Sequence, residues 1–373
     1  MIALVGGQNG EGYSHALMKV WSGKRGIASA PAKSALCRLR RKISYRFFRD
    51  HLTRLLKSAD SVRSTYLGLR IYAVDGQMLT LPKSKEITRA GFTGRAVSKY
   101  RESHYPKAFI THAYDVLTGV SKDLRFSNRL HEQQDAEEMI AGFERESLTI
   151  YDRLYFGIRL VAAHYRRRSH FLFRCKRNAS KEILEFFNDP KKPVTTSFFL
   201  KGKYEINLVR VRNPKTNEDA VFATSLPVEL LQPRIIGKLY RLRWEVETSF
   251  LELTAITKAE QWHSKSVNGI LQELYARFWL INYVKLQIHV QTKKPGNPLR
   301  DKYEKPNFKL LYNFVLLLFP KIMKRDPEVI RDFDHLRKRS LEKRRHRSRA
   351  YKRELKRPAS PYSYNNCVWV WDA

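Results

Sequence analysis

Three carboxylates are spaced so that they could assemble a divalent-cation site: Asp75, Asp152 and Glu247. Asp75 follows the apolar run Ile71–Val74 in "RIYAVDG", and Asp152 follows Leu148–Tyr151 in "SLTIYDR". A short apolar run closed by an acid reads as a strand buried on both faces that delivers a carboxylate at its end. Glu247 stands in "LYRLRWEVETSFLELT", where Tyr240, Arg243 and Glu247 are separated by three and then four residues, so one helix face carries all three. Two acids on neighbouring strands and a third on a packed helix form a set of hard oxygen donors suited to two Mg²⁺ ions, with Mn²⁺ able to substitute. Such an ion pair activates a water or a DNA 3′-hydroxyl and stabilises the leaving oxygen in an in-line displacement at a phosphodiester. Arg243 can hold a phosphate or orient Glu247, and Tyr240 adds a hydroxyl. Each piece alone has a plainer reading: Asp-Gly is a common turn, and Tyr240, Arg243 and Glu247 make an ordinary surface salt-bridge face. Only the set points to phosphoryl transfer.

The elements around these residues follow a recognisable order. After the run ending at Asp75, residues 107–114 and 120–127 flank Leu117-Thr118-Gly119 and read as an antiparallel pair. His131–Glu146 reads as a Glu-rich helix, Leu148–Tyr151 as a strand, Phe156–Arg167 as a helix and Phe171–Cys175 as a strand. Strand, strand, strand, helix, strand, helix, strand is the order of a ribonuclease-H-like α/β core. The β-rich runs of residues 190–227 are broken at Lys201-Gly202-Lys203 and Asn213-Pro214-Lys215 and read as a β insertion; helical spacing returns from Pro233. The expected organisation is a basic helical N-terminal DNA-binding region (1–68), the first part of the core (69–178), the insertion (179–230), a helical part of the core with Glu247 (231–292) and a basic C-terminal region (293–373). Within the first of these, Leu36, Leu39, Ile43, Phe47, Leu52 and Leu55 recur at helical spacing among basic residues. The glycines of residues 1–30 lack the Gly-Lys-Ser or Gly-Lys-Thr of a phosphate loop.

Charge narrows the partner. The 373 residues hold 71 Lys and Arg against 36 Asp and Glu, a formal net charge of +35 that favours a polyanion, with nucleic acid first. The run "RKRSLEKRRHRSRAYKRELKR" between Arg337 and Arg357 is dense enough to condense on a phosphate backbone, against a simpler reading as a solubilising tail. No apolar run is long enough to span a bilayer and no secretory signal opens the chain, so no membrane partner and a cytoplasmic, nucleoid-associated location are expected. Cys37, Cys175 and Cys367 are widely spaced and read as inert reduced thiols; the histidines show no zinc spacing, and Trp262 and His263 read as packing residues. Arg153, beside the second Asp, and Lys265 in "QWHSKS" are the better-placed DNA contacts.

Taken together, Asp75-Gly76, Asp152-Arg153 and the Tyr-x-x-Arg-x-x-x-Glu run at Tyr240, Arg243 and Glu247 resemble the signature of bacterial insertion-sequence transposases of the IS-four family. "YPKAFITHAYDVLTG", "FATSLP" at Phe222–Pro227 and "LQELYARFWLINY" extend the likeness over residues 68–290. The resemblance implies a DDE transposase with a ribonuclease-H-like core and a β insertion between the second Asp and the Glu. It implies cut-and-paste transposition: nicking by water, hairpin formation at element ends by the freed 3′-hydroxyl, hairpin opening and strand transfer into target DNA. The implied partners are double-stranded DNA, as terminal inverted repeats and target, and a second copy of the chain in a homodimeric paired-end complex. Two positions depart from the pattern. Thr254 stands where the family carries a Lys seven residues after the Glu, with Lys258 a substitute if the helix continues that far. No Trp lies in the insertion to stack on a flipped base, leaving Phe198, Phe199 or Tyr204 for that task. Thr254 keeps open a domesticated relative that cuts DNA without joining it, and a DNA-binding protein without catalysis is the rival from another class.

Overall fold

The computed structural model describes residues 31–94, 96–98, 101–189, 193–212, 218–291 and 304–343, together with Ser14, Leu17 and Met18. The glycine-rich start apart from those three residues, Cys367, and the basic tail from Arg344 onward lie outside the described residues. The chain divides into two compact units, one formed by residues 63–77 and 110–249, the other by residues 1–62, 78–109 and 250–373.

The first unit holds most of a sheet of eight strands, residues 78–80 of β1 and 107–109 of β2 being counted with the other: β1 (Arg70–Thr80), β2 (Lys107–Asp115), β3 (Ser121–Ser127), β4 (Ser147–Tyr151), β5 (His170–Arg174), β6 (Thr195–Leu200), β7 (Tyr204–Arg212) and β8 (Asp219–Thr224). Their order in the sheet is β3-β2-β1-β4-β5-β8-β7-β6. The first five strands, with α1 (Glu132–Ile140) between β3 and β4 and α2 (Ile158–Arg167) between β4 and β5, form the ribonuclease-H-like core. β4 runs parallel to both β1 and β5. All five of its residues are buried, as a central parallel strand covered on both faces requires.

The strands of the β insertion, within residues 195–224, extend this sheet. β8 pairs antiparallel with β5, then β7 with β8 and β6 with β7. The β6–β7 hairpin turns at Lys201 and Gly202, both at positive φ. The helix α3 (Lys181–Asn188) precedes these strands, and Ser180 caps it by accepting from the Ile183 N–H.

Side chains alternate across a strand, so Tyr72 and Val74 of β1 face one layer while Ile71, Ala73 and Asp75 face the other. The first face packs with Ala136, Met139 and Ile140 of α1, Leu160 and Val161 of α2, Ile183 and Phe186 of α3, and Tyr151, Phe171 and Phe173 of the neighbouring strands. Over the opposite face lie α4 (Pro233–Arg241) and α5 (Trp244–Leu251), with the Tyr240 ring 4.8 Å from Phe222 on β8. Two buried polar networks lock the unit. His164 lies between the Tyr151 hydroxyl at Nε2 (2.9 Å) and the Ser169 hydroxyl at Nδ1 (2.8 Å). Arg63 pairs with Asp115 at 3.0 Å, both side chains fully buried, and Asp115 also accepts from the Leu117 and Thr118 N–H groups.

In the second unit, the helix Tyr45–Ala59 packs along the long helix Val267–Gln291. A preceding helix, Lys33–Lys42, supplies Arg40, which donates to Gln272, to the Gly269 carbonyl and to Glu273. The apolar spacing of this region is only partly a buried stripe: Phe48 and Leu52 are buried, but Leu39 and Phe47 are about half exposed and the helix breaks before Ser44. Trp262 is buried, donating to the Thr80 carbonyl, and His263 sits beside Glu273, so both pack as expected. No helix among the described residues is long and apolar enough to cross a membrane.

Candidate active site

β1 and β4 set the first two acids side by side. Their registered pairs run from Arg70 with Ser147 to Ala73 with Ile150, and the same 77-residue offset carries Asp75 to Asp152. Neighbouring strands lie about 4.8 Å apart, so continuing this register past the end of β4 would set Asp152 next to Asp75. β1 itself does not stop there. It runs on to Thr80, so Asp75 lies within a strand whose parallel partner has ended, not at a strand terminus.

Glu247 reaches the site from the helix layer above that face. Arg243 joins it to β1, donating to Asp75 Oδ2 at 3.3 Å and, closer still, to Glu247 Oε1. Its Nε has no hydrogen-bond partner among the described residues. Burial opposes the charge on Arg243, but Tyr240, Glu247 and Asp75 outweigh it and hold the guanidinium more firmly protonated than usual. Burial pushes the Asp75 carboxyl up to about 6; the Gly76 N–H, which donates to Oδ1, and Arg243 oppose the rise, while Glu247 and Glu132 add to it. Tyr240 is half-buried and its hydroxyl is shifted up by desolvation.

A fourth carboxylate was missed in the sequence. Glu132, the first residue of α1, lies against Gly76: a Cβ built on Gly76 would fall 2.3 Å from Glu132 Oε1. The Tyr155 hydroxyl donates to Glu132 Oε2 at 3.3 Å, and the Tyr155 N–H donates to the Asp152 carbonyl at 3.1 Å. Burial raises the Glu132 carboxyl, with the charges of Asp135 and Asp152 adding to the rise. In the sequence Glu132 is one of several acids in "HEQQDAEEM", and no spacing rule singles it out.

The other expected contacts divide between the units. Arg153 is exposed beside Asp152, whose Oδ1 accepts the Arg153 N–H at 2.7 Å. Lys258 and Lys265 belong to the second unit. The helix bearing Glu247 ends at Leu251 and passes into a π-helical turn, Glu252–Ile256; Lys258 then takes φ +49°, so the helix does not continue to it. The hydroxyl of Thr254, in that turn, donates back to the Phe250 carbonyl of α5. Lys265 lines a cavity of about 530 Å³ with Arg40, Arg41, His263 and Ser266. Of the three aromatics of the insertion, Phe198 and Tyr204 pack against the core, while Phe199 is 60% exposed beside the Lys201-Gly202 turn.

The donor chemistry fits hard divalent cations, since every candidate ligand is a carboxylate oxygen. Among the described residues, however, no three His, Cys, Asp or Glu side chains are gathered closely enough to hold an ion. The Arg243 guanidinium bridges two of the candidates, Asp75 and Glu247.

A family model described as the transposase DDE domain matches residues 66–283, more than half of the chain. The chain belongs to that family. The matched span of this DDE-domain member opens just before β1 and contains Asp75, Asp152, Arg243 and Glu247. Among solved structures, a piggyBac transposase in a synaptic complex with hairpin DNA aligns at 13% identity and a TM-score of 0.41, covering 72% of this chain and 57% of that one. That likeness is too slight to bear on the fold, which rests on the strand order. No curated protein matches the DDE-domain chain significantly.

Proposed function

We propose that the protein is a DNA transposase that moves an insertion sequence by metal-dependent cutting and joining, with Asp75, Asp152 and Glu247 as its catalytic carboxylates. The observation that carries this reading is the parallel pairing of β1 with β4, from Arg70 with Ser147 to Ala73 with Ile150, which leads to Asp75 on one strand and to Asp152 just past the end of the other, with Glu247 linked to Asp75 through Arg243. Two Mg²⁺ ions held by these three carboxylates would supply the Lewis acidity that activates the attacking oxygen and stabilises the leaving one. The chain's own residues bind and orient the DNA. Arg243, released from bridging the two acids, has a fork of donors for a phosphate, and the exposed Arg153 holds the strand beside Asp152. The Tyr240 hydroxyl positions the backbone, Lys258 and Lys265 add phosphate contacts, and Phe199 offers a face for a flipped base during hairpin formation. The partners in this reading are terminal inverted repeats and target DNA, brought together by a homodimer.

The test is Mg²⁺-dependent cleavage of a labelled duplex bearing the element's end, comparing the intact protein with Asp152→Ala at equal DNA occupancy. Loss of cleavage with binding retained is the expected result. Equal activity in both proteins, or binding without cleavage by the intact one, refutes the assignment. Thr254 favours one variation, a nuclease without strand transfer, because its hydroxyl is committed to the Phe250 carbonyl and carries no charge. Nicked ends that never join target DNA would establish that variation.

A further inference from the structure

We propose that Glu132 supplies a fourth carboxylate to the divalent-cation site, entering from the sheet face opposite to Arg243 and Glu247; this rests on the reading of Asp75, Asp152 and Glu247 as metal ligands. Gly76 is the first piece of the geometry. Its missing side chain leaves room for the Glu132 carboxylate to lie directly on the backbone next to Asp75, where a Cβ would meet Oε1 at 2.3 Å, Cδ at 2.4 Å and Cγ at 2.7 Å. Gly76 is not at positive φ, so close approach, not backbone conformation, is what the position requires.

The second piece is the tether. Tyr155 is buried; its hydroxyl holds Glu132 while its N–H holds the carbonyl of Asp152. Gln133, the next residue of α1, donates to the Leu154 carbonyl at 2.5 Å. The start of α1 is therefore fastened to the turn that carries Asp152, and the Glu132 carboxylate is held beside one aspartate and tied to the loop of the other.

Charge supplies the third. Glu132 makes no ion pair with any described Lys or Arg, in a protein with 71 basic residues and 36 acidic ones. A half-buried carboxylate whose charge adds to those of Asp75 and Asp152, and which pairs with no described Lys or Arg, is stabilised by a bound cation. Arg243 neutralises Asp75 and Glu247 from one layer; among the described residues no Lys or Arg pairs with Glu132 from the other.

The measurement is Mn²⁺ affinity, by electron paramagnetic resonance titration of free Mn²⁺, on the full chain without DNA. Glu132→Gln keeps the shape and can still accept from Tyr155, so its thermal melt without metal should match the intact protein. Its Mn²⁺ dissociation constant should rise about tenfold or more. Gly76→Ala, which pushes the Glu132 side chain away without altering any charge, should reproduce the loss. Asp152→Ala, run alongside, should weaken binding at least as much. Mn²⁺ affinity within twofold of the intact protein for Glu132→Gln, while Asp152→Ala loses binding, overturns the role of Glu132 and leaves the triad standing. Unchanged binding in all three variants overturns the triad and Glu132 together.

Discussion

His164 gives a prediction whose size can be worked through. Its ring is fully buried between the Tyr151 and Ser169 hydroxyls, and burial, with the nearby His170 adding to it, pulls its pKa from 6.5 down to about 3. The folded state therefore refuses a proton that the unfolded chain accepts. Stability from this residue is complete above pH 6.5 and is lost progressively as pH falls toward 3. Between pH 7 and pH 5 the loss amounts to about 2 kcal/mol, roughly a thirtyfold rise in the opening equilibrium. The readout is amide hydrogen exchange on peptides spanning residues 147–174, corrected for intrinsic rate, in the intact protein and in His164→Gln. The variant cannot titrate. It loses part of the hydrogen bonding, a cost of about 1–3 kcal/mol that does not change with pH, while its acid-dependent acceleration should fall roughly thirtyfold short of that of the intact protein. All other titrating groups cancel in that comparison. Equal acceleration in both proteins would refute the claim that His164 is buried and neutral.

Further outcomes follow from other sites. Arg63→Met leaves Asp115 buried without its cation and should destabilise by about 3–5 kcal/mol in denaturant unfolding, with little change in DNA affinity. Phe173→Ala opens a cavity among Phe171, Tyr151 and Phe156 and should cost about 3–5 kcal/mol by the same measurement. Thr254→Lys restores the charge that the resemblance leads one to expect; the slope of log affinity against log salt for end DNA should steepen by about one, and strand transfer should rise. Arg243→Gln frees Asp75 and Glu247 from their shared cation, so Mn²⁺ affinity should be kept or improved while cleavage of end DNA falls; cleavage at the intact rate would deny the arginine a role in DNA positioning.

The parts of this molecule legible in its sequence were those governed by short-range pattern. The apolar runs ending at Asp75 and at Asp152 announced strands buried on both faces, whereas the single helix face expected for Tyr240, Arg243 and Glu247 is interrupted: Tyr240 lies in α4, Arg243 in the turn at residues 242–243 and Glu247 in α5. What escaped depended on partners distant in the chain. β1 continues through Gly76 to Thr80 although Asp-Gly reads locally as a turn. The β-rich insertion was legible as such, but not its pairing onto β5, because edge pairing leaves no mark in composition. Nothing near Ile256 forecasts the π-helical turn that ends the helical path before Lys258. Leu39 and Phe47 have the right period for burial, yet the break before Ser44 exposes both. Glu132 matters only because α1 begins over Gly76, a coincidence of tertiary structure.

The path of the chain through its two units has a consequence for how such a protein can be taken apart. Of the four points where it crosses between them, the one within residues 77–78 divides β1, that within 109–110 divides β2, and that within 249–250 divides α5. A fragment spanning residues 63–249 contains all of one unit and, stranded inside it, residues 78–109 of the other. Neither unit is a cassette. Cutting at any one crossing breaks a strand or a helix or leaves one unit incomplete, so grafting parts from a relative would demand several joins made at once.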